Sequence, residues 1–512
     1  MDNPLLLSAP RIILSYEPLI TTDKILVVDG IVKAYGAKAE DKATSLGAEK
    51  IVFDKVLAPG FIDTHMHIDT LAMMLRMIDL SDIKSLKELA DKIMDADNRI
   101  GEWIVGRGFD HNLFIDDKVL DRRKLDSIIP DKPLLLIHKS GHMGFLNTAG
   151  LEALEQLSVV LPRDQVDPDT GIVVEDALWR IYSWIKQQVR PDEFADMIAE
   201  AQNHILQYGV TGVAVAGCDD QCMESLLRAE KTGRLKLRVY VYIYPENDEW
   251  IEKYLYWRNI ARGRVRVLGI KLLADGALGT RTAYLSMPYD DDPDNRGKLL
   301  LSANDITKYL EEAVKIDAQV AVHAIGDAAL DEVLKAYYRY KEYNHLLRIE
   351  HASLVRDDQL EIIERIKPLI SVQPRFIASD KWILERIGGR VKWAYRFRSL
   401  MNRTTISFST DCPVEPIDPR EGIYYAVTRD PGSPYDKYSP DEKITLSEAL
   451  HLYTHTASIL LHDDRLGALT PGSYADIIGF DKDPLSIPIN GIRNLVISTI
   501  SINGELINDK EQ

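Results

Sequence analysis

The stretch Ala58-Pro-Gly-Phe-Ile-Asp-Thr-His-Met-His-Ile-Asp69 is an apolar run that carries two histidines, His65 and His67, near its end. Side chains along a β-strand repeat every two residues, so both imidazoles project from one face and can bind one ion. Imidazole suits zinc, iron, copper and nickel, and two such donors at the mouth of a strand leave room for ligands from elsewhere. The stretch therefore predicts a strand that ends in part of a metal site.

Four further polar residues end short runs of β-type sequence in the same way. They are Lys271 in 265–271, His323 in 318–323, His351 in 346–351 and Asp411 in 404–411. Helical patterns precede several of these runs, for example 304–316 and 328–343. Alternating strands and helices favour a parallel sheet with right-handed crossovers, whose active site lies at the carboxyl ends of its strands. We expect these residues to meet His65 and His67 at that edge.

Eight such β-type runs occur along the chain, with helix-compatible segments between most of them. They span 59–65, 210–216, 236–243, 265–272, 318–323, 346–351, 368–373 and 404–410. Eight strands are what a closed (β/α)8 barrel of the TIM type needs. The predicted fold class is therefore α/β, with a TIM-like barrel at its centre.

The chain is too long to be a barrel alone, since it has 512 residues and a bare barrel needs roughly 250. The strand-like pieces in 1–58 and 464–512 are each too short for a sandwich of their own, so we expect them to form one small β-sandwich domain together. The barrel domain then spans 59–463. The gap between His67 and the second strand is far longer than an ordinary βα loop, which predicts an inserted subdomain at 70–190.

Charge and hydropathy argue against several classes of function. The formal net charge is 62 − 79 = −17, without a long basic run, which argues against nucleic-acid binding. No apolar run approaches about 18 residues, and the N-terminus lacks a basic segment and a cleavage signal, so we expect neither a membrane span nor secretion. We expect a cytoplasmic protein that acts on a small-molecule substrate, and the sequence leaves open whether it forms a homo-oligomer.

The cysteine count is low and odd, with Cys218, Cys222 and Cys412 alone, and it fits a reducing cytosol. Cys218 and Cys222 would share one face of a helix, but without further cysteines we do not expect a zinc pair there. We interpret both as packing residues.

The order of the polar strand-end residues resembles the metal-dependent amidohydrolase superfamily. That superfamily has His-x-His on the first barrel strand, lysine on the fourth, histidines on the fifth and sixth and aspartate on the eighth. Four segments are similar to its type 3 branch, which includes N-substituted formamide deformylases: Lys271-Leu-Leu-Ala-Asp-Gly-Ala-Leu-Gly-Thr-Arg-Thr-Ala283, Val322-His-Ala-Ile-Gly-Asp327, Ile349-Glu-His-Ala352 and Ser409-Thr-Asp-Cys-Pro-Val414. The resemblance covers nearly the whole chain, including 101–110 and 140–147. It implies a barrel flanked by a small β domain.

Strand positions and resemblance together predict one or two divalent metal ions, with zinc the first choice. The predicted ligands are His65, His67, Lys271, His323, His351 and Asp411. An ammonium cannot ligate a cation, and burial beside positive ions favours the neutral amine. The family implies that carbon dioxide then carboxylates Lys271, which gives a carbamate able to bridge two metals.

These groups predict hydrolysis of a non-peptide C–N bond in an amide, an N-formyl compound or a cyclic amide. Metal coordination lowers the pKa of water from about 15.7 to about 7, so Asp411 can accept a proton from the attacking water and later donate it to the leaving nitrogen. One alternative is a deaminase or cyclic-amidine hydrolase, because the same nucleophile can attack an amidine carbon. An alternative from another class is a non-catalytic oligomeric scaffold, although this chain retains all the candidate ligands.

Candidate substrate contacts have a weaker signal. His142 lies in the inserted segment that the family places over its site, Arg281 follows the Lys271 strand in a glycine-rich loop, and Gln373 ends the seventh strand. Each is as compatible with a structural role as with substrate contact. Trp103 and Trp382 could line an apolar pocket or pack in a core. The remaining histidines have no comparable support: His111, His138, His204, His345, His451, His455 and His462.

Overall fold

The computed structural model of the chain describes residues 4–115, 119–155, 160–247 and 249–509. Its strands are β1 (Leu5–Tyr16), β2 (Leu19–Val28), β3 (Ile31–Tyr35), β4 (Glu49–Val52), β5 (Val56–Pro59), β6 (Phe61–Met66), β7 (Ile78–Asp79), β8 (Ile104–Phe109), β9 (Leu134–His138), β10 (Met143–Leu146), β11 (Val166–Asp167), β12 (Ile172–Val174), β13 (Val210–Cys218), β14 (Arg238–Ile243), β15 (Val265–Leu273), β16 (Gln319–Ala324), β17 (Leu347–His351), β18 (Leu369–Val372), β19 (Ile406–Phe408), β20 (Ile477–Phe480), β21 (Ile497–Ile502) and β22 (Glu505–Asp509).

The α-helices are α1 (Ala37–Leu46), α2 (Ile68–Arg76), α3 (Leu86–Asp95), α4 (Arg122–Ile128), α5 (Thr148–Leu154), α6 (Glu175–Gln188), α7 (Pro191–Leu206), α8 (Asp220–Lys231), α9 (Trp250–Ile260), α10 (Ala303–Lys315), α11 (Asp327–Tyr338), α12 (Asp357–Ile366), α13 (Phe376–Ser379), α14 (Ile383–Ile387), α15 (Phe397–Met401), α16 (Pro419–Thr428), α17 (Pro434–Tyr438), α18 (Leu446–Leu452) and α19 (His455–Leu460). Several of them lie between consecutive parallel strands, as crossover connections require.

The barrel is an eight-stranded sheet in the order β19-β18-β17-β16-β15-β14-β13-β6. Every neighbouring pair in it is parallel. The first and last strands meet where the Thr64 hydroxyl donates to the Phe408 carbonyl at 3.1 Å, so the sheet is a nearly closed barrel. Each strand begins and ends within two residues of its predicted run, and the predicted fold class is confirmed.

The sequence explains why these strands form. Strands β13 and β14 are buried along their whole length, as expected of strands with both faces covered, which are rich in valine and other apolar residues. The local sequence also explains why helix α10 forms before β16. Ser302 and Asp305 form a capping box at the start of α10, and Ile306, Leu310 and Ala313 form its buried stripe.

Both termini contribute to a second eight-stranded sheet, in the order β22-β21-β20-β5-β1-β2-β3 with β4 paired to β1. The sequence predicted a β-sandwich from the same two segments, and the structure joins their strands into this single sheet. Successive residues of β1 point to opposite faces of this sheet. Leu7 belongs to the apolar cluster on one face, and Leu6 belongs to the cluster on the other. Ala39 and Ala43 of α1 pack in the Leu6 cluster.

The chain divides into two compact units, and the first holds the barrel and the terminal sheet in residues 1–67, 202–219 and 233–512. The second unit comprises 68–201 and 220–232. It contains a six-stranded sheet in the order β11-β12-β10-β9-β8-β7. Trp103, one of the two tryptophans considered for a pocket, is 3% exposed and stacks edge-on against Trp184 within this unit.

The cysteines differ from the sequence interpretation. Cys218 and Cys222 are buried, as packing residues would be, but both are disulfide-bonded. Cys412 is a free, buried cysteine. These cysteines therefore do not indicate a reducing compartment. Within the described part of the chain, no helix combines the length and apolar character that a bilayer span requires.

Candidate functional site

A cavity of about 370 Å³ opens at the carboxyl ends of the barrel strands. Its lining includes every residue that the sequence analysis named as a candidate ligand: His65, His67, Lys271, His323, His351 and Asp411. These residues come from five strands or strand ends that are far apart in the sequence. The parallel barrel brings them together, because it points all its carboxyl ends to one side.

Backbone hydrogen bonds join the first strand end to the last. The Asp411 N–H donates to the His65 carbonyl at 2.9 Å, and the His67 N–H donates to the Cys412 carbonyl at 2.7 Å. The buried Asp63 carboxylate accepts from the backbone N–H groups of His65 and Thr410, each at 3.1 Å. These contacts fix the segment that carries the two histidines against the segment that carries the aspartate.

The Asp411 carboxylate faces the His-x-His pair. Its Oδ1 lies 3.3 Å from Nε2 of His65 and 3.2 Å from Nε2 of His67. Burial raises the pKa of Asp411, but the charge of His65 and the hydrogen bonds from both histidines outweigh it, so this pKa lies well below its usual range. Ligand atoms of His65, His351 and Asp411 all lie within 4.8 Å of one another, close to the spacing that ligands about 2.1 Å from one ion require.

His323 and His351 lie side by side, with ring centroids 4.5 Å apart. Nδ1 of His351 lies 2.7 Å from Oε1 of Gln373, and Nε2 of His323 lies 3.1 Å from the Gly276 carbonyl. Because a carbonyl oxygen only accepts, each of these nitrogens carries the proton. The opposite nitrogen of each ring, Nε2 of His351 and Nδ1 of His323, therefore keeps its lone pair for a cation.

Lys271 is 2% exposed, and its Nζ has no hydrogen-bond partner among the described residues. Burial lowers the pKa of this amine to about 8, against the opposing charges of Glu350 and Asp411. An unpartnered ammonium in such a place is costly. The amine therefore fits a site in which it is neutral or chemically modified, as the carbamate prediction requires.

A buried ion pair behind His65 was missed by the sequence analysis. Oε2 of Glu350 lies 2.5 Å from Nδ1 of His65, and Oε1 of Glu350 accepts from Nε of Arg348 at 2.5 Å. Both Glu350 and Arg348 are fully buried. Because the carboxylate accepts a hydrogen bond from the Nδ1–H, it orients the ring so that Nε2 of His65 faces Asp411 and the cavity. The sequence signal for this ion pair was the presence of two charged residues inside the apolar run 346–351.

Replacing Glu350 with glutamine should weaken metal binding by about 10- to 100-fold, which is typical of the loss of a partner behind a metal-binding histidine. The amide keeps the volume of the carboxylate but lacks its charge, so it fixes the His65 tautomer less firmly. Stability should also fall, because Arg348 loses its buried counter-charge. Metal titration of the apo-protein and urea unfolding would measure the two effects separately.

Asp476→Asn is the matched control, because Asp476 forms another buried pair, with Nε of Arg238 at 2.6 Å. This variant should lose stability and retain the metal affinity of the wild type. Equal metal affinities in Glu350→Gln and Asp476→Asn would argue against a role of Glu350 in positioning His65.

Asp275 is a second functional candidate that was not predicted. It is 2% exposed and accepts from the backbone N–H groups of Ile325 and Gly326 at 3.0 and 2.7 Å. Its Oδ1 lies 3.5 Å from Nε2 of His323. Burial raises the pKa of Asp275 to about 7. The residue ties the loop after β15 to the loop that follows His323.

The predicted substrate contacts have different surroundings, and their roles stay predictions. Gln373 is buried against His351. Arg281 pairs with Asp291 at 2.9 Å and does not line the cavity. His142 belongs to the second unit, where its Nδ1 lies 3.1 Å from Glu175. Trp382 does line the cavity.

The sequence matches the model of the amidohydrolase family over residues 54–507. The chain belongs to this family. It is 36% identical to an uncharacterised metal-dependent hydrolase of Pyrococcus furiosus, with a TM-score of 0.85 over 94% of this chain and 100% of that one. A metal-dependent hydrolase of Pyrococcus horikoshii OT3 is similar too, at 34% identity and a TM-score of 0.86 over 95% of this chain and 99% of that one.

A further relative, the N-substituted formamide deformylase of Arthrobacter pascens, is 25% identical over 95% of this chain and 94% of its own length. The family and the structural neighbours make this amidohydrolase a metal-dependent hydrolase. The predicted family is thereby confirmed.

Proposed function

We propose that this amidohydrolase cleaves non-peptide C–N bonds in amides, N-formyl compounds or cyclic amides. The observation that carries the proposal is the convergence on one cavity of four histidines, Asp411 and a buried lysine that has no hydrogen-bond partner among the described residues. A similar protein, the Arthrobacter pascens enzyme, is named an N-substituted formamide deformylase. That name supports a formamide or related amide as the substrate class.

The residues present suit one or two divalent cations, and zinc is the first choice because histidine nitrogen and carboxylate oxygen are its common ligands. The holding groups would be His65, His67, His323, His351, Asp411 and a carboxylated Lys271. When bound, the metal would polarise the substrate carbonyl and lower the pKa of water, which is how such ions assist hydrolysis.

Asp411 is the proposed proton carrier. Its Oδ1 faces both Nε2 atoms of the His-x-His pair at 3.2 to 3.3 Å, and its low pKa keeps it ionised and able to accept a proton. In hydrolysis, water adds to the carbonyl carbon and its proton passes to the Asp411 carboxylate. The same proton then passes to the nitrogen as the C–N bond breaks, so the carboxylate returns to its initial state.

Prolonged chelation should abolish hydrolysis of N-formyl, N-acyl and cyclic amide compounds, and added zinc or manganese should restore it. The reason is that water at neutral pH is a poor nucleophile without metal activation. Metal content by mass spectrometry and product formation would be followed in the same samples. Full activity of verified metal-free protein would contradict the proposal. Turnover of adenine-like or cyclic-amidine compounds with none of the amides would favour a deaminase instead.

A further inference from the structure

The cavity has a distinctive wall beyond the candidate ligands. Aromatic rings of Tyr244, Phe376, Trp382 and Tyr395 line it together with aliphatic side chains. Among the described lining residues, Asp380 is the only acid or base other than tyrosine that lies outside the ligand set. A cavity of about 370 Å³ suits a small molecule, and an apolar pocket with few polar groups uses those groups to orient its ligand.

The Asp380 carboxylate is held in place by a hydroxyl group. Its Oδ2 accepts from the Tyr395 hydroxyl at 2.5 Å. Within the described ranges no lysine, arginine or histidine forms an ion pair with it. The neighbouring cations are engaged elsewhere: Lys381 lies 3.0 Å from Asp430, and Arg375 lies 3.6 Å from Glu415.

A purely structural role explains only part of this arrangement. Anchoring the Tyr395 hydroxyl uses one carboxylate oxygen and would be served equally by a neutral amide. Burial raises the pKa of Asp380 to about 6, so near neutral pH the group is mostly ionised. A partly buried anion without a counter-charge is unfavourable unless a ligand supplies one.

The surrounding rings suit a cation as well. Trp382 lies against Gly279, and a Cβ at that glycine would be in ordinary van der Waals contact with the indole, 3.5 Å away. Indole and phenol faces attract ammonium groups, and they do so more strongly when water is excluded. Arg386 also lies near the Trp382 ring, at 5.2 Å, but it is paired with Asp291 and does not line the cavity.

We propose that the substrate carries a cationic amino group on an apolar or aromatic arm, and that Asp380 binds this group while the amide lies at the candidate metal ligands. The inference rests on the proposed C–N hydrolase function and names its substrate class: N-acyl or N-formyl derivatives of diamines. The amide nitrogen is released as one amine, and the second amine stays protonated throughout. Asp380 is a specificity determinant and exchanges no proton with the reacting atoms.

Two formamides that differ by one amino group test the substrate preference. One is the mono-N-formyl derivative of 1,4-bis(aminomethyl)benzene, and the other is N-formyl-4-methylbenzylamine, which lacks the second amine. For the wild type, kcat/KM should be at least about 10-fold higher for the cationic compound, because a charge-assisted contact is gained. Asp380→Asn should bring the ratio close to one, mainly through KM. Asp436→Asn, which changes an acid that pairs with Lys443 outside the cavity lining, should leave the ratio unchanged.

Binding without turnover separates this inference from the hydrolase proposal. Calorimetry would compare 1,4-bis(aminomethyl)benzene with 4-methylbenzylamine on the metal-loaded wild type, both of which offer one amine to the metal. The diamine should bind at least about 10-fold more tightly, and Asp380→Asn should remove the difference. Equal binding of both amines by the wild type overturns the inference even if amides are hydrolysed. Preferential diamine binding with no amide hydrolysis keeps the Asp380 site and instead contradicts the proposed reaction.

Discussion

Replacing Asp411 with asparagine should lower kcat by about 10²-fold or more, the usual contribution of a general acid–base group. Asparagine keeps the volume of the side chain and an oxygen that can face the two Nε2 atoms at 3.2 to 3.3 Å. It cannot take up the proton of the attacking water. Metal content and folding should therefore stay near those of the wild type while turnover falls. Steady-state kinetics on metal-quantified protein would measure this.

Asp463→Asn is the control for the loss of a buried carboxylate as such. Asp463 is 4% exposed and accepts from the Tyr240 hydroxyl at 2.9 Å, outside the cavity lining. We expect it to cost stability and to change kcat little. Ordinary turnover by fully metallated Asp411→Asn would remove Asp411 from the role of proton carrier.

The barrel could be predicted because each of its strands is recognisable from a short stretch of sequence. A buried parallel strand reads as a short apolar run, and a parallel barrel sends every such run in the same direction. The position of His323 at the end of an apolar run therefore placed it at the cavity before any contact was known. The same reasoning predicted that Asp411 lies at the cavity, although this residue is three positions beyond the end of β19.

Partners of the candidate ligands were not predictable, because they depend on which side chains meet across the barrel. Glu350 and His65 are 285 residues apart in the chain, and nothing near either residue indicates the other. The same holds for Arg281, whose partner Asp291 lies in an acidic loop that could equally have faced solvent. Of the aromatic residues in the cavity wall, the sequence suggested only Trp382 for a pocket, and tryptophan is more often a core residue.

The strand order of the terminal sheet and the oxidation state of the cysteines could not be predicted from the sequence. Strand-like segments at both ends predicted a shared β domain, but strand order is set by long-range pairing such as that of β5 with β20. Sequence spacing also could not reveal the oxidised state of Cys218 and Cys222, because a low cysteine count is only a statistical guide to the redox compartment.

Lys271→Ala should lose one or both metal ions and at least about 10²-fold in rate. Metal polarisation is worth several kcal/mol, and each loss of about 1.4 kcal/mol is tenfold in rate. The Lys271 amine is 2% exposed and has no hydrogen-bond partner among the described residues. Between cations an ammonium would be repelled, whereas a neutral amine would add carbon dioxide and release a proton. The resulting carbamate would supply two oxygens and a compensating negative charge.

Three measurements test the carbamate directly. Protein loaded under ¹³C-labelled carbon dioxide should show a carbamate resonance that Lys271→Ala lacks. A crystal structure should show the carboxylate on Nζ between two metals about 3.5–4 Å apart. A short-chain carboxylic acid should partly restore metal content and activity to Lys271→Ala, because it replaces the missing oxygens. Lys335→Ala, which removes an exposed lysine 2.5 Å from Glu332, should change none of these readouts. An unmodified Lys271 pointing away from a single metal in active protein would overturn the two-metal arrangement, and it would leave the hydrolase reaction to Asp411 and the four histidines.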